Sequence, residues 1–280
     1  MQMRKLTVWS LFAVGMLAAA GCATSQKKKP DFSKPPQSIA QLQAALEKAR
    51  EAAAQEPTNA ERQYRLGNAL FDMERFVEAS TAYEAAIKLS PEYESAHCNL
   101  GLCLRRLGLV PRAIEEYRKA LAIDPKDTTA RYNLIAALEL SGDFEGVVKG
   151  LQQLSELQPD DVQVAAHLAN AVFRLGRYQE AASAFEKVLR LDPGRADHYY
   201  NLGLCYFYME NWDATLATWL TALAHDPKHA ATNKGLAVVY WKRRDYKQAW
   251  ETVARCQTLG IALDPAFVAD LRRDSGQTGP

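Results

Sequence analysis

The sequence has no surplus of either charge. Its 34 lysines and arginines face 33 aspartates and glutamates, a formal net charge of +1. Proteins that neutralise nucleic-acid phosphates carry a basic excess or a basic patch, so nucleic acid is not expected as a partner. Cysteine is scarce, with five in 280 residues, too few for a disulfide framework in a chain this long. Long apolar runs are scarce too. The one run, Leu6 to Ala20, is interrupted by Thr7, Ser10 and Gly15. It falls short of the roughly 20 residues that a spanning helix needs. Also missing are a phosphate-binding glycine loop, His-Glu-x-x-His, Cys-x-x-Cys and Gly-x-Ser-x-Gly. Without them there is no catalytic centre, cofactor or metal to expect, and the chain reads as a non-enzyme. His225 and His229 are four apart, but Asp226-Pro227 lies between them, so they do not share a helical face. What is present is 48% apolar and 24% charged residues, the balance of a folded chain.

Arg4 and Lys5 precede the apolar run, the layout of a secretory signal over residues 1–21. The run closes on Ala19-Ala20-Gly21-Cys22, with polar Thr24-Ser25-Gln26 beyond. That ending resembles the lipobox of bacterial lipoproteins, with Ala19 where a leucine is usual. The resemblance implies cleavage before Cys22 and a lipid on its sulfur. It also implies outer-membrane sorting facing the periplasm, since Ala23 and not Asp follows the cysteine; a secreted periplasmic or inner-membrane-anchored form is the alternative. Cleavage removes two bases and no acid, leaving 32 against 33 and a net charge of −1. Residues 22–37 read as anchor and tether, because Lys27-Lys28-Lys29-Pro30, Pro35 and Pro36 bring almost no large apolar surface. Extended at about 3.1 Å per residue, such a tether reaches roughly 45 Å.

The rest of the chain repeats itself. Pro57, Pro91, Pro125, Pro159, Pro193 and Pro227 are spaced by 34 residues, as are Leu66, Leu100, Leu134, Leu168, Leu202 and Leu236. With Ala60 as position 1, six repeats cover 60–93, 94–127, 128–161, 162–195, 196–229 and 230–263. Position 8 carries Gly67, Gly101, Ala169, Gly203 and Ala237, and position 20 carries Ala79, Ala113, Ala181 and Ala249. Position 24 is large in Tyr83, Tyr117, Leu151, Phe185 and Trp219. Small residues suit the close crossing of two helices, and large ones fill the space around it. Gly108, Gly142 and Gly176 at position 15 suit the left-handed residue that ends a helix. The prolines at position 32 stop the second helix. The chain thus resembles the tetratricopeptide repeat family in period and pattern. The resemblance implies an all-α, right-handed solenoid over 38–273, since one helix pair cannot bury its own apolar faces. Residues 38–55 read as a lone second helix capping the N-terminal end, with Ala45, Ala49 and Ala52 at positions 20, 24 and 27. Residues 266–273 read as a closing helix and 274–280 as a disordered tail.

Repeat 3 departs from the pattern. Ile135 stands at position 8, Val147 at position 20, and Gly146 and Gly150 fall within its second helix. Either the helix spacing changes there, or neighbouring side chains compensate. Cys103, Cys205 and Cys256 sit where the repeat buries small residues, and Cys98 lies five residues from Cys103 on one helix, so no disulfide is expected.

In the tetratricopeptide family the first helices line a groove through positions 2, 5, 6, 9, 12 and 13. By that resemblance the partner-binding groove here comprises Tyr64, Asn68 and Phe71, then Asn99, Arg105 and Arg106. Tyr132 and Asn133 follow in repeat 3, and Asn170, Phe173 and Arg174 in repeat 4. Repeat 5 contributes Tyr200, Asn201, Phe207 and Tyr208, and repeat 6 contributes Trp241. Aromatic and arginine side chains anchor interfaces, and asparagine amides both donate to and accept from a peptide backbone. Some family members clamp a chaperone's terminal carboxylate with lysine and arginine at set positions. Here Tyr64, Thr129 and Asn133 stand where those cations belong, so a chaperone clamp is not expected. Anchor, tether and repeats together resemble bacterial lipoproteins of the pilotin-like type IV pilus group. The resemblance implies a membrane-anchored scaffold of the envelope that binds an extended partner segment, with assembly of a secretin, a pilus or another envelope complex as its setting. An oligomeric spacer, or an adaptor for periplasmic proteases or peptidoglycan hydrolases, is the alternative.

Overall fold

A computed structural model describes residues 38–277. The signal (1–21), Cys22, the tether and residues 278–280 lie outside the described residues. Among the described residues there are fourteen α-helices and no strand. No described helix is long and apolar enough to cross a membrane. The described helices fall into two compact units, one within residues 38–157 and one within residues 158–277.

The first unit holds α1 (Ile39–Gln55), α2 (Ala60–Asp72), α3 (Phe76–Leu89), α4 (Glu94–Arg106), α5 (Val110–Ile123), α6 (Thr128–Ser141) and α7 (Phe144–Leu157). The second holds α8 (Val162–Arg174), α9 (Tyr178–Leu191), α10 (Ala196–Tyr208), α11 (Trp212–His225), α12 (Ala230–Lys242), α13 (Tyr246–Thr258) and α14 (Pro265–Ser275). Each repeat is one helix pair.

Local chemistry sets the ends of these helices. Ser38 caps α1: its Oγ accepts from the Gln41 N–H at 3.2 Å, and Gln41 Oε1 accepts from the Ser38 N–H at 2.8 Å. Such a reciprocal pair satisfies two of the donors left open at a helix start. Asn59, Asp127 and Asp161 cap α2, α6 and α8 in the same way through one side-chain oxygen. The position-32 prolines begin the turns between repeats, and a further device closes these turns. The side chain at position 4 reaches back to the proline carbonyl. Gln63 bonds the Pro57 oxygen at 3.3 Å, His97 the Pro91 oxygen at 3.0 Å and Asn233 the Pro227 oxygen at 3.3 Å, while Arg131 donates to that of Pro125. A turn carbonyl is thereby satisfied, and that of Pro227 also accepts from Arg255 at 3.2 Å.

The core follows the size pattern. A Cβ added at Gly67 would lie 2.5 Å from the Tyr83 ring, and one at Gly101 would lie 2.7 Å from the Tyr117 ring. Trp219 is fully buried. It lies against Gly203 of its own repeat and Gly235 of the next, where a Cβ would come within 2.2 Å and 2.5 Å of the indole. Its Nε1–H donates to the Tyr200 carbonyl at 3.0 Å. In repeat 3 the sizes are exchanged. Ile135 is buried, and a Cβ at Gly150 would lie 2.8 Å from its Cγ1. The glycine of α7 makes room for the isoleucine of α6, so compensating side chains close this crossing.

One expectation needs correction. The closing helix spans Pro265–Ser275, not 266–273, with Gly276 in the left-handed conformation as its cap. Asp274 and Ser275 are therefore helix and not tail. They are held because Trp241 Nε1–H donates to Asp274 at 3.1 Å and Trp250 Nε1–H donates to Ser275 Oγ at 3.2 Å. The left-handed residue at position 15 is not confined to glycine. Glu74, Glu210 and Arg244 adopt it with φ of 57°, 56° and 60°.

Candidate functional site

In the first unit, α2 and α4 bring Tyr64, Asn68 and Asn99 together. Asn99 Nδ2 donates to Asn68 Oδ1 at 2.9 Å and to the Tyr64 hydroxyl at 3.1 Å. The Tyr83 hydroxyl, from α3, donates to the same Asn68 oxygen at 2.7 Å. Tyr64 packs on Tyr93 with ring centres 4.8 Å apart, and the Tyr93 hydroxyl donates to Glu61. This network fixes the orientation of both amides. The Asn68 oxygen and the Asn99 nitrogen are used internally, which directs the Asn68 N–H₂ and the Asn99 oxygen elsewhere. Both asparagines are half-buried. Nearby, Phe71 meets Phe76 edge-on at 5.2 Å, and the Arg106 guanidinium lies 6.0 Å above the Phe76 ring. Arg105 lies beside the buried Tyr117 phenol, which desolvation holds above its usual pKa.

Tyr132 is half-buried, and Asn133 is not a groove residue. It is 9% exposed, and its Nδ2 points to Cys98 Sγ at 3.9 Å. Asn99 and Asn133 share position 6, yet their surroundings differ. The residue 35 earlier is Tyr64 for the first and Cys98 for the second. A hydroxyl at the groove edge holds one amide outward, and a buried thiol takes the other inward.

Metal-ligating groups gather at the junction of repeats 2 and 3, where Glu94, Cys98 and Asp127 place one ligand atom each within 4.8 Å of one another. Desolvation, then Asp127, pushes the Glu94 carboxyl above its usual range. Burial, then the two acids, pushes the Cys98 thiol to about 12. Asp127 also caps α6, its carboxylate accepting from the Thr129 N–H at 2.7 Å. The four described cysteines are free and buried. Desolvation raises each thiol, which removes thiolate reactivity.

In the second unit, Phe173, Tyr200 and Phe207, expected in the groove, are core residues with 5–7% exposure. Tyr200 and Phe207 stack on Trp219 at 5.7 Å and 5.9 Å, and Phe173 meets Tyr178 at 5.2 Å. Large rings at position 17 (Tyr178, Trp212) meet the position-12 rings edge-on. Tyr208 stays half-exposed, stacked on Tyr178 at 5.0 Å with 15° between planes. Asn170 and Asn201 are half-buried, and Arg174 is exposed. Trp241 faces α14: besides its bond to Asp274 it meets Phe267 edge-on at 5.8 Å, with Lys242 Nζ 4.6 Å over the ring. His225 and His229 are not brought together as a ligand pair. His225 stacks on Tyr199 at 4.9 Å, while His229 engages Thr232 at 2.6 Å and Asp197 at 3.1 Å.

A family model described as tetratricopeptide repeat matches residues 64–128, 149–196, 167–207 and 200–255, and a second of the same description matches 104–171. No curated protein matches. Among solved structures, YrrB, described as a TPR protein with an unusual peptide-binding site, is 24% identical with a TM-score of 0.56. The match covers 67% of this chain and 97% of YrrB. MamA from Desulfovibrio magneticus RS-1 is 21% identical over 60% of this chain and 94% of its own, at a TM-score of 0.52. The C-terminal part of a TPR repeat-containing protein from Cytophaga hutchinsonii is 16% identical over 81% and 93%, at 0.64. At these identities the likeness shows the fold alone.

Proposed function

Because the chain belongs to the tetratricopeptide repeat family, we propose that it is a non-enzymatic scaffold that captures an extended segment of a partner protein. The observation that carries this reading is the Tyr64–Asn68–Asn99 network. Its internal bonds are complete, and they turn one amide donor and one amide acceptor away from the network. A peptide unit offers the matching carbonyl and N–H. Preorganised groups of this kind lose little freedom on binding. YrrB, described by its peptide-binding site, shows the repeat in that use.

The proposed setting is the bacterial envelope. Lipidation of Cys22 confines the scaffold to a membrane face, the outer membrane by the residue at position 23. Confinement raises effective concentration, so modest intrinsic affinity suffices. The partner is then an envelope protein, and assembly of a secretin or pilus is the process that the anchor-tether-repeat layout resembles. The test is photocrosslinking in intact envelopes from a probe at Leu102, which holds in repeat 2 the position that Asn68 holds in repeat 1. Asn68→Ala/Asn99→Ala should lose the crosslinked partner while far-ultraviolet dichroism stays unchanged. An unchanged partner set sinks the groove reading. Separately, Cys22→Ser should release the chain from membranes, and a variant that still sediments with them removes the anchor from the proposal.

A further inference from the structure

Two clefts carry no occupant among the described residues. The first, of about 330 Å³, lies between α1 and α2 over Leu42, Ala45, Ala49, Ala52 and Ala69. Within the repeats, this face of a second helix receives a first helix, as Tyr83 receives Gly67 and Tyr117 receives Gly101. In α1 the face is mostly alanine, with Leu42 and Lys48 at its side, and no first helix covers it among the described residues. The second cleft, of about 360 Å³, lies between α13 and α14 and is lined by Val253, Gln257, Ile261, Val268, Ala269 and Arg272. Here the helix in place is a first helix. Asp264 caps it, and buried Leu271 takes the place that Leu236 holds in α12.

We propose that α14 of one copy seats in the α1–α2 cleft of a second copy, so that two half-repeats complete one helix pair. This goes beyond the groove reading and does not depend on what the groove binds. The joint continues the packing already present six times in each chain.

Size and charge both favour this occupant. Arg272 falls at the position where every first helix but that of repeat 3 carries a small residue, and α1 offers Ala45 and Ala49 opposite it, with Lys48 beside them. Bulk is exchanged between the helices, as it is between Ile135 and Gly150. A first helix lies antiparallel to its second helix, because a short turn joins them. The incoming α14 therefore brings its C-terminal turn to the Leu42 end of α1 and its start to the Ala52 end. Its last turn carries Arg272, with Arg273 paired to Asp270 and Asp274 on the same helix, and Asp72 stands at the Leu42 end of the cleft. Its start carries Asp264, and Arg62 and Arg65 stand at the other end, each already held by one glutamate. Every copy has one cleft of each kind, so the joint is head-to-tail and repeats.

Analytical ultracentrifugation of the full chain tests this. The wild type should gain mass in whole-chain steps as concentration rises. Ala49→Arg closes one cleft and Ala269→Arg the other, and each should weaken self-association more than about tenfold. Both side chains lie at the surface of formed helices, and dichroism checks the fold. The two variants mixed should form a one-to-one dimer and nothing larger, since each retains the cleft that the other needs. Arg272→Glu should also weaken the joint, and adding Asp72→Arg should restore it. A wild type that stays monomeric, as it would if residues 23–37 or another protein filled the cleft, overturns the proposal. So does an assembly indifferent to Ala49→Arg.

Discussion

Repeats 2 and 3 share one 34-residue template and solve its tightest crossing in opposite ways. Repeat 2 puts glycine on the first helix and tyrosine on the second, with Gly101 lying under Tyr117. Repeat 3 puts isoleucine on the first helix and glycine on the second, with Ile135 filling the space at Gly150. The room for the larger first-helix residue comes from position 23, beside the buried Leu151 that stands where Tyr117 does. Interiors are packed like crystals, so one helix can grow only where its neighbour shrinks.

The strongest way to break this comparison is to empty the exchanged site. Ile135→Ala should cost about 2–5 kcal/mol, because the glycine opposite cannot fill the cavity. Urea denaturation reads this directly, and a loss below about 1 kcal/mol would mean that Ile135 does not close the crossing. Next in size is Gly150→Ala. By helix propensity alone it should stabilise α7 by about 1 kcal/mol. The added Cβ meets Ile135 Cγ1 at 2.8 Å, and overpacking of this kind costs about 1–3 kcal/mol. A net loss is expected, and the same change made on top of Ile135→Ala, which lacks the Cγ1 that the new Cβ meets, should cost less. Strict additivity of the two changes would show that they do not touch.

The junction between the same two repeats supplies a third, smaller test. Glu94 opens repeat 2 and Asp127 closes it, and the two carboxyls meet beside Cys98. Glu94 has a raised pKa in the fold, from desolvation first and Asp127 second, against 4.5 for the free side chain. Its stabilising contribution is therefore complete below the unfolded value. It is lost as pH rises through the folded one, because the fold holds the proton more tightly. Glu94→Gln keeps the shape and removes the titration. Melting temperature measured from pH 4 upward should fall more for wild type than for Glu94→Gln. Parallel curves would mean that Glu94 ionises freely in the fold.

Much of the fold was legible because its signals are periodic. Proline and leucine ladders give the repeat length, and the glycines at position 8 mark where helices cross. The exchange in repeat 3 was half legible: Ile135 stood out, but its remedy lies fifteen residues on, in a glycine that looks like a helix defect when read alone. The candidate site was less legible. Position numbers place Asn99 and Asn133 alike, and only the neighbour in the preceding repeat decides which faces outward. Phe173 and Phe207 were misplaced for a related reason. Phe71 makes the same edge contact with the ring at position 17 and stays half-buried, so burial of a position-12 ring depends on its whole set of neighbours, which no single-residue pattern shows. The position-4 bond to the proline carbonyl was hidden because Gln63, His97, Arg131 and Asn233 have only a donor in common.

Position 15 gives the smallest and cleanest comparison, because the backbone is the same and only the side chain differs. Gly108, Gly142 and Gly176 have φ of 78°, 78° and 74°, and Glu74, Glu210 and Arg244 match them at 57°, 56° and 60°. A left-handed residue with a Cβ costs about 1–2 kcal/mol, and glycine returns roughly half of that gain as unfolded-chain entropy. Glu74→Gly, Glu210→Gly and Arg244→Gly should each raise stability by about 0.5–1 kcal/mol, and Gly108→Ala should lower it by a similar amount. No atom lies within 4 Å of a Cβ built at Gly108, so its loss would be conformational and not steric. The turn is closed by backbone bonds that both classes make, such as Glu74 N–H to the Phe71 oxygen at 2.9 Å and Gly108 N–H to that of Arg105 at 3.1 Å. Denaturant midpoints of the four single variants settle the matter. A loss of stability in all three glycine variants would mean that the glutamates and arginine hold the turn through side-chain contacts stronger than the strain they impose.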